Sequence, residues 1–483
     1  MQFRIEHDSL GEKDVPVEAY YGIQTVRAIE NFPITGIPIS EFPFLIKAIA
    51  SIKEAAAVTN KELGLLDAKI CDAIVKACRD VKSGMLDRYF VVDVIQGGAG
   101  TSTNVNANEV IANRALEYLG HEKGAYRYCH PHDHVNLSQS TNDVYPTTLK
   151  IAAIWSMDGL ITAMGKLQDT FAIKGEEFRR VLKIGRTQLQ DAVPMTLGQE
   201  FTAYSVTVAE DIERLREATR LIHEINMGAT AIGTGVNTVE GYADLVRDNL
   251  IRITGLAFVT SPNLVEATSD AGAFVQLSGV LKRIAVKISK ICNDMRLLSS
   301  GPRAGLAEIQ LPAMQPGSTI MPGKINPVIP EVVNQVCFQV IGNDMTITIA
   351  AEAGQLELNA FEPVIGFNIL QSMKLLTNAF NVLRERCVVG IRANIERCNE
   401  LMERSVGLVT ALVPIIGYET AAELAKEALA SGCTIRELIM DKGLLSSSEL
   451  EKALDPKTMI HPGIPKTPKK PENTQKKYKK TNI

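Results

Sequence analysis

Long runs of helical periodicity in the middle of the chain constrain its fold more than any other feature. From Leu277 to Gly301 the apolar residues recur at intervals of three and four, which predicts a helix about 40 Å long or longer. A second series runs from Phe201 to near Gly228. Further helical patterns cover residues 151–171, 332–348 and 358–386. Five long amphipathic segments predict an all-α fold with a central bundle, whose apolar stripes form the core and position a site without supplying its reacting groups.

The segments around this bundle predict further domains. We expect an N-terminal mainly helical domain over residues 1–140, the central long-helix bundle over 141–396 and a small C-terminal helical domain over 397–465. In the C-terminal domain, Thr434 with Glu437 and Ser446 with Glu449 predict two capping boxes. Residues 466–483 carry seven lysines against one glutamate, a charge of +6, and are expected to form a disordered, solvated tail.

The composition favours a helical protein with a small partner molecule. Of the 483 residues, 46% are hydrophobic and only 5% aromatic, which fits aliphatic helix packing better than a sheet sandwich. A formal charge of −4 and a pI near 6.1 argue against nucleic-acid binding by the body of the chain. The first residues show no basic region followed by an apolar one, and no apolar run reaches about eighteen residues, so we expect neither a secretory signal nor a membrane span.

Neither the cysteines nor a local histidine cluster predicts a cofactor. The eight cysteines have no CxxC spacing, which is typical of reduced thiols, and we therefore expect a cytoplasmic location. The run CHPHDH, residues 129–134, could place imidazoles on one face of a loop, but no second cluster of ligands accompanies it. A polar loop is favoured over a metal site. We expect no metal or other cofactor, and activation by a divalent cation stays open.

The segment GSTIMPGKINP, from Gly317 to Pro327, places a serine, a lysine and an Asn-Pro pair around one turn. Its two glycines give backbone freedom that other residues lack, so Ser318 is expected on a mobile lid. With Asn326 as N-cap and Pro327 as first helical residue, the free N–H groups of the next helix would point toward Lys324 and bind an anion. The alternative for these residues taken singly is a Gly/Pro-rich surface loop before a capped helix.

Three upstream segments collect hydroxyl and amide side chains. The first, GGAGTSTNVNANEV, leads tightly into Thr101 and lacks the spacing of a dinucleotide-binding loop. The second, SQSTNDVYPT, offers three short donors in a row, Ser140, Thr141 and Asn142. Taken alone, this second segment would be interpreted as an N-cap cluster. The third, GRTQLQDAVPMTLGQE, presents Thr187 followed by Gln188.

These four motifs, with the segments at 19–36 and 356–368, resemble the aspartase/fumarase superfamily of lyases in the family's order and over nearly the whole chain. The usual signature carries two serines, and here the second is Thr319. The resemblance implies a three-domain all-α fold and a homotetramer whose central helices merge into one helical core. It also implies active sites shared between three subunits and a small-molecule dicarboxylate as substrate. From the charge and the lack of a long apolar run we expect no nucleic-acid or membrane partner.

The residue after Thr187 helps to decide to which branch of the superfamily the resemblance is stronger. Class II fumarases have a histidine there, paired with a glutamate that Glu331 matches, whereas this chain has Gln188. An amide cannot pass protons at neutral pH, and loss of hydroxide from malate needs an acid. The amino group of aspartate is already protonated and leaves as neutral ammonia. The resemblance therefore implies reversible deamination of L-aspartate to fumarate and ammonia, with class II fumarase or a non-catalytic relative as alternatives.

The resemblance also implies roles for ten side chains in an anti-elimination through an aci-carboxylate. Ser318 is implied as the general base that removes the Cβ proton once the loop closes. The hydroxyls implied to hold the β-carboxylate are those of Thr101, Ser140, Thr141 and Thr319. The amides implied to orient the amino group are Asn142 and Gln188. The residues implied to fix the α-carboxylate are Thr187, Lys324 and Asn326. No histidine near Ser318 in the sequence could activate it, so we expect activation from Lys324 and backbone donors.

Overall fold

A computed structural model describes residues 2–455 and 459–460 of the chain. The predicted lysine-rich tail lies outside the described residues. The described residues form two compact units, each assembled from three stretches of the chain. Unit 1 comprises residues 2–168, 206–293 and 328–386, and unit 2 comprises residues 169–205, 294–327 and 387–455 with 459–460. The contiguous domain ranges expected from the sequence stay predictions.

Sixteen α-helices in the described residues make the chain mainly helical, as predicted. They are α1 (Ile23–Asn31), α2 (Pro43–Glu62), α3 (Ala68–Lys82), α4 (Thr101–Tyr118), α5 (Thr141–Glu177), α6 (Leu197–Ile222), α7 (Tyr242–Thr254), α8 (Leu264–Ser269), α9 (Gly272–Leu298), α10 (Val328–Glu352), α11 (Glu362–Arg386), α12 (Ile395–Arg404), α13 (Val413–Ile416), α14 (Tyr418–Ser431), α15 (Ile435–Asp441) and α16 (Ser447–Ala453). None of these described helices combines the length and the apolar character that a membrane crossing requires.

The five long segments predicted from periodicity are confirmed as α5, α6, α9, α10 and α11. Along α9 the predicted stripe faces inward, with Leu277, Ile284 and Met295 all buried. The largest difference is at α5, which begins at Thr141 rather than near residue 151. Its first turns are polar and contain Pro146, so they carry no apolar stripe that could reveal the helix.

Side chains join neighbouring long helices within unit 1. The polar contacts are Arg283 with Asp211 from α9 to α6, Lys282 with Asp344 from α9 to α10, and Asn343 with Ser372 from α10 to α11. Gly366 of α11 approaches α5 so closely that an added Cβ would lie 2.4 Å from the Leu149 side chain. A larger residue at Gly366 would therefore force these two helices apart. The assembly of such helices into a tetrameric core stays a prediction.

Short strands, which the sequence analysis did not predict, form four two-stranded sheets in the described residues. The pairs are β1 (Phe3–Asp8) with β2 (Gly11–Pro16), β3 (Leu182–Thr187) with β4 (Gln190–Thr196), β5 (Glu224–Ile225) with β6 (Val259–Thr260), and β7 (Ile309–Gln310) with β8 (Arg392–Ala393). The β5–β6 pair is parallel and the other three are antiparallel. The β3–β4 hairpin matters most for function, because two predicted site residues lie at its tip.

The C-terminal helices of unit 2 enclose a core of their own. It includes the buried side chains of Leu408, Leu412, Leu424, Ile435, Ile439 and Leu450. Both predicted capping boxes are confirmed. Thr434 accepts from the backbone of Glu437 at the start of α15, and Ser446 accepts from that of Glu449 at the start of α16.

Candidate active site

Thr101 opens α4 after a turn of three residues in the left-handed region. The φ angles are +88° at Gly98, +52° at Ala99 and +90° at Gly100. The Gly98 carbonyl closes this turn, because it accepts hydrogen bonds from the Thr101 backbone N–H at 2.9 Å and hydroxyl at 2.7 Å. A Cβ added to Gly100 would lie 2.3 Å from the ring of Tyr145 on α5. Glycine is therefore needed for both the φ angle and the close approach that brings the first two motifs together.

The residues that open α5 each have a different contact. The Ser140 Oγ accepts from the backbone N–H of Asn142 at 3.2 Å, which confirms the N-cap interpretation of this residue. The Thr141 Oγ1 accepts from the Asn104 Nδ2 at 2.9 Å, and the Asn142 Nδ2 donates to the Ala231 carbonyl at 2.7 Å. The groups that remain for a ligand include the hydroxyl protons of Ser140 and Thr141, the second hydrogen of the Asn142 Nδ2 and the Asn142 Oδ1.

Asp143 lies wholly buried behind these residues and was not among the site residues predicted from the sequence. Its carboxylate accepts from the backbone N–H groups of Ser140 at 3.0 Å, Gly228 at 3.1 Å and Thr230 at 3.0 Å. Burial raises the pKa of Asp143 to about 6, against the lowering effect of these three donors. A carboxylate that binds three backbone donors fixes the start of α5 to the 228–230 segment. Its position next to the Ser-Thr-Asn run was the only sequence signal for it.

Thr187 and Gln188 lie exposed at the tip of the β3–β4 hairpin in unit 2. Thr187 pairs with Gln190, so Gln188 and Leu189 form a two-residue turn. Their φ angles are +55° and +62°, as in the type I′ turn that usually takes Asn and Gly. Side chains such as these cost about 1–3 kcal/mol each in that conformation. Strain of this kind concentrates at functional sites, which supports a functional role for Gln188.

A buried ionic network fixes the strands beneath this tip. Glu308 is fully buried, accepts from Arg186 at 2.8 Å and lies 3.1 Å from the Lys183 Nζ. Lys183 also binds Glu200 at 2.8 Å. Removing one member would leave a buried charge without its partner, which costs about 3–5 kcal/mol. The network therefore holds the hairpin tip in a fixed orientation.

Two hydrogen bonds close the signature loop at its base. The Gly317 N–H donates to the Lys324 carbonyl at 2.7 Å, and the Asn326 Nδ2 donates to the Gly317 carbonyl at 2.6 Å. A Cβ on Gly317 would lie 2.5 Å from the Lys324 carbonyl, so this glycine allows a close approach, whereas Gly323 has a φ of +80°. The next helix begins at Val328, one residue later than predicted. The prediction that Asn326 caps that helix was wrong, because its side chain closes the loop instead.

The Ser318 Oγ accepts two backbone hydrogen bonds, from Ile320 at 3.2 Å and Met321 at 2.9 Å. Donors aimed at a hydroxyl oxygen stabilise the negative charge that it gains on losing its proton. The backbone donors expected for this serine are therefore found. Thr319 and Lys324 are exposed on the same loop, where a ligand can reach them from solvent.

In the histidine cluster, two ring nitrogens accept hydrogen bonds from the backbone of the cluster itself. The Nδ1 of His130 accepts from the backbone N–H groups of His132 and Asp133, both at 3.2 Å. The Nδ1 of His134 accepts from the His130 N–H at 2.7 Å. Burial lowers the pKa of His132 and of His134. No group of three potential metal ligands occurs within the part of the chain that the structure describes.

A cavity of about 390 Å³ in unit 1 lies among residues that the sequence analysis did not predict. Its lining includes Glu41, Phe42, Phe367 and Lys374. The carboxylate of Glu41 lies 3.6 Å from the Lys374 Nζ, so the two charges in the lining pair with each other. This cavity therefore offers neither a free charge nor a predicted site residue.

Two family models match the chain. The model described as Lyase covers residues 11–342, and the model described as Fumarase C C-terminus covers residues 408–461. The aspartate ammonia-lyase of Pseudomonas fluorescens is 57% identical over 463 residues, which are 96% of this chain and 97% of that protein. The aspartate ammonia-lyase of Escherichia coli K12 is 52% identical over 460 residues, 95% of this chain and 96% of that protein.

Two solved structures also match this chain over nearly its whole length. The fumarate lyase:delta crystallin from Brucella melitensis bound to cobalt matches with a TM-score of 0.93 and 57% identity, over 95% of this chain and 100% of that chain. The class II fumarase from Schistosoma mansoni matches with a TM-score of 0.88 and 37% identity, over 94% of this chain and 99% of that chain.

Proposed function

This chain belongs to the aspartase/fumarase superfamily of lyases, and from that premise we propose that it is a carbon–nitrogen lyase that converts L-aspartate reversibly to fumarate and ammonia. The observation that carries the proposal is the sequence identity between this chain and its named relatives. It is 57% and 52% with two aspartate ammonia-lyases, against 37% with a class II fumarase. Gln188 at the hairpin tip supports the same choice, because an amide cannot protonate a departing hydroxide.

The amino group of the substrate is oriented by two amides. The Asn142 Nδ2 is held by the Ala231 carbonyl, so its Oδ1 is the end that accepts from the ammonium group. Gln188 offers a second amide on the rigid hairpin. Since the ammonium group leaves as neutral ammonia, these residues only need to orient it and need not pass a proton to it.

The β-carboxylate is held by hydroxyl groups that donate to it. Ser140 and Thr141 already accept hydrogen bonds through their oxygens, so their protons are free to donate to an anion. Thr101 donates to Gly98 in the structure and turns to the carboxylate on binding. Thr319 approaches with the signature loop. When the Cβ proton leaves, the carboxylate becomes a doubly charged aci-carboxylate, and donors that bind this dianion more tightly than the ground state accelerate the reaction.

Ser318 is the general base. Its alkoxide is stabilised by the N–H groups of Ile320 and Met321, with the positive charge of Lys324 on the same loop. It takes the Cβ proton, and the electron pair of that C–H bond moves into the β-carboxylate. Collapse of the aci-carboxylate then forms the double bond and expels ammonia from the opposite face.

The α-carboxylate is fixed by Thr187, Lys324 and Asn326. Asn326 uses one amide hydrogen on the Gly317 carbonyl, and its second is available to a carboxylate. Thr187 is presented by the hairpin that the Glu308 network holds. All these groups belong to the chain itself, so we propose that the reaction needs no metal or other cofactor. The cysteine pattern favours a cytoplasmic location.

The functional protein is a homotetramer with active sites shared between three subunits. The outer face of α10 supports this part of the proposal. Phe338, Met345 and Ile349 are 60%, 61% and 60% exposed, and with Gly342 they follow one another at intervals of three and four. An apolar stripe of this length on a helix is typical of a helix–helix interface, and a second copy of the same helix fits it.

The test is a direct comparison of two substrates. Purified protein is mixed with L-aspartate or with L-malate, and fumarate is followed by its ultraviolet absorbance. We expect fumarate from L-aspartate, no fumarate from L-malate above the blank, and consumption of fumarate when ammonium is supplied. Faster turnover of malate than of aspartate would instead identify a fumarase, and no turnover of either would favour a non-catalytic relative.

A further inference from the structure

A chain of buried polar side chains lies behind Thr141 in unit 1. It begins at Lys53 on α2, which is 0% exposed. The Lys53 Nζ donates to the Asn136 Oδ1 at 2.8 Å and to the Gln139 Oε1 at 3.0 Å. Within the described residues no carboxylate lies within ion-pair distance of this Nζ. Lys53 is therefore paired with neutral amide oxygens, and it fixes which end of each amide faces it.

The orientation of Asn136 is fixed from both ends of its amide. Its Nδ2 donates to the Gln139 carbonyl at 3.1 Å, and its Oδ1 accepts from the Lys53 Nζ. Two further amides meet that same oxygen, the Asn104 Nδ2 at 3.2 Å and the Asn108 Nδ2 at 3.1 Å. Each must present its NH₂ end, because two amide oxygens would repel each other. The orientation of Asn104 is thus set by its neighbours rather than by the substrate.

This orientation determines what the Thr141 hydroxyl can do. The same Nδ2 of Asn104 lies 2.9 Å from the Thr141 Oγ1, which must therefore accept. Once its oxygen accepts from Asn104, the single hydroxyl proton of Thr141 is directed away from Asn104. Without that donor the hydroxyl could rotate, and its proton would no longer be held in one direction.

We propose that Asn104 is a positioning residue that holds the Thr141 hydroxyl as a donor to the β-carboxylate of the substrate. The inference deepens the proposed function and rests on it, since it takes Thr141 as a carboxylate ligand. The Asn104 Oδ1 is buried with no hydrogen-bond partner in the described residues, which costs about 1–3 kcal/mol. The NH₂ group is therefore the end of the Asn104 side chain that makes its hydrogen bonds, to Asn136 and to Thr141.

Asn108 is a matched control that the chain itself provides. It lies one turn further along α4, is 1% exposed against 2% for Asn104, and also donates to the Asn136 Oδ1. Its Oδ1 is likewise buried without a partner in the described residues. The difference between the two asparagines is the contact with Thr141.

The experiment compares Asn104→Ala with Asn108→Ala, and Asn104→Asp with Asn108→Asp. We expect both alanine variants to lose similar thermal stability, while kcat/KM for L-aspartate falls roughly tenfold to hundredfold only for Asn104→Ala. Asn104→Asp keeps the shape of the side chain but removes the NH₂ donor, so kcat/KM should fall at least as far in this variant. In a double-mutant cycle, Asn104→Ala added to Thr141→Val should cause no further loss.

Fumarate binding, measured by titration calorimetry, gives a second readout that needs no turnover. Weaker fumarate binding by Asn104→Ala than by Asn108→Ala supports the inference, whether or not the wild-type protein deaminates aspartate. Failure of the wild-type protein to deaminate aspartate would reject only the proposed function. Equal effects of the two alanine variants on binding and turnover would overturn the inference. So would losses that add fully in the double mutant with Thr141→Val.

Discussion

At the residue scale, a buried carboxyl links stability to pH. Glu362, the first residue of α11, is 4% exposed, and its Oε2 has no hydrogen-bond partner in the described residues. Burial raises the pKa of Glu362 to about 8, against the opposing charge of Lys150. The folded state keeps this proton up to a pH of about 8, whereas the unfolded chain releases it near 4.5. The contribution to stability is therefore full below pH 4.5 and is lost as the pH rises to 8.

We expect Glu362→Gln to remove that loss, because an amide does not ionise. The free energy of unfolding, measured by urea denaturation from pH 5 to 9, should rise for this variant relative to the wild-type protein as the pH rises. The exposed Glu357 offers a control, and Glu357→Gln should follow the wild-type curve. Parallel curves for Glu362→Gln and wild type would show that the buried carboxyl does not control this dependence.

The sequence identified residue types at this scale better than it identified their contacts. The ten predicted side chains lie in short motifs, and a motif is readable because its residues are adjacent in the chain. Asn326 was assigned as a cap, yet its side chain closes the loop at Gly317. Asn104 and Asp143 gain their positions from segments far away in the sequence, and no local pattern reveals such contacts.

At the scale of secondary structure, periodicity predicted elements that bury one apolar face and missed those that do not. The apolar stripes of α6, α9, α10 and α11 predicted these helices, but the polar first turns of α5 carry no such stripe and were not predicted. The β3–β4 hairpin was also missed, because its turn residues Gln188 and Leu189 lack the Asn-Gly or Asp-Gly signature of a type I′ turn. The two missed pieces carry predicted site residues, where local rules are often broken for function.

The turn before α4 makes a testable claim at the same scale. Gly100 and Gly120 flank this helix with φ angles of +90° and +79°, but only at Gly100 would a Cβ meet another residue, the ring of Tyr145. Gly120→Ala should cost about 1 kcal/mol from its backbone conformation alone. Gly100→Ala should cost about 1–3 kcal/mol more from the collision, and should lower kcat/KM because Thr101 moves with the turn.

Thermal and urea unfolding of the two glycine variants would measure the difference. Equal destabilisation, with activity retained in both, would mean that the contact between Gly100 and Tyr145 does not position Thr101.

At the scale of the whole molecule, the exposed stripe on α10 predicts assembly. A charge placed in the middle of an apolar interface between copies costs several kcal/mol, so Met345→Glu should shift the protein from tetramers to smaller species. Leu429 on α14 is 74% exposed, and Leu429→Glu should leave the assembly unchanged. Sedimentation velocity distinguishes these outcomes. A Met345→Glu variant that sediments like the wild-type protein would exclude this face of α10 from the interface.

If active sites are shared between subunits, loss of assembly should remove activity as well. Met345→Glu is therefore expected to lose turnover of L-aspartate in proportion to the tetramer it loses, although Met345 is not among the predicted site residues. Full activity in a dissociated variant would show that one chain holds a complete site.

The central claim, a serine base that removes the Cβ proton of L-aspartate, is tested most directly by Ser318→Ala. Fumarate release from L-aspartate should fall roughly 10²- to 10⁴-fold, with helical content and sedimentation unchanged. Ser431→Ala, at an exposed serine on α14, should retain the wild-type rate. Release of fumarate by Ser318→Ala at the wild-type rate would contradict the account.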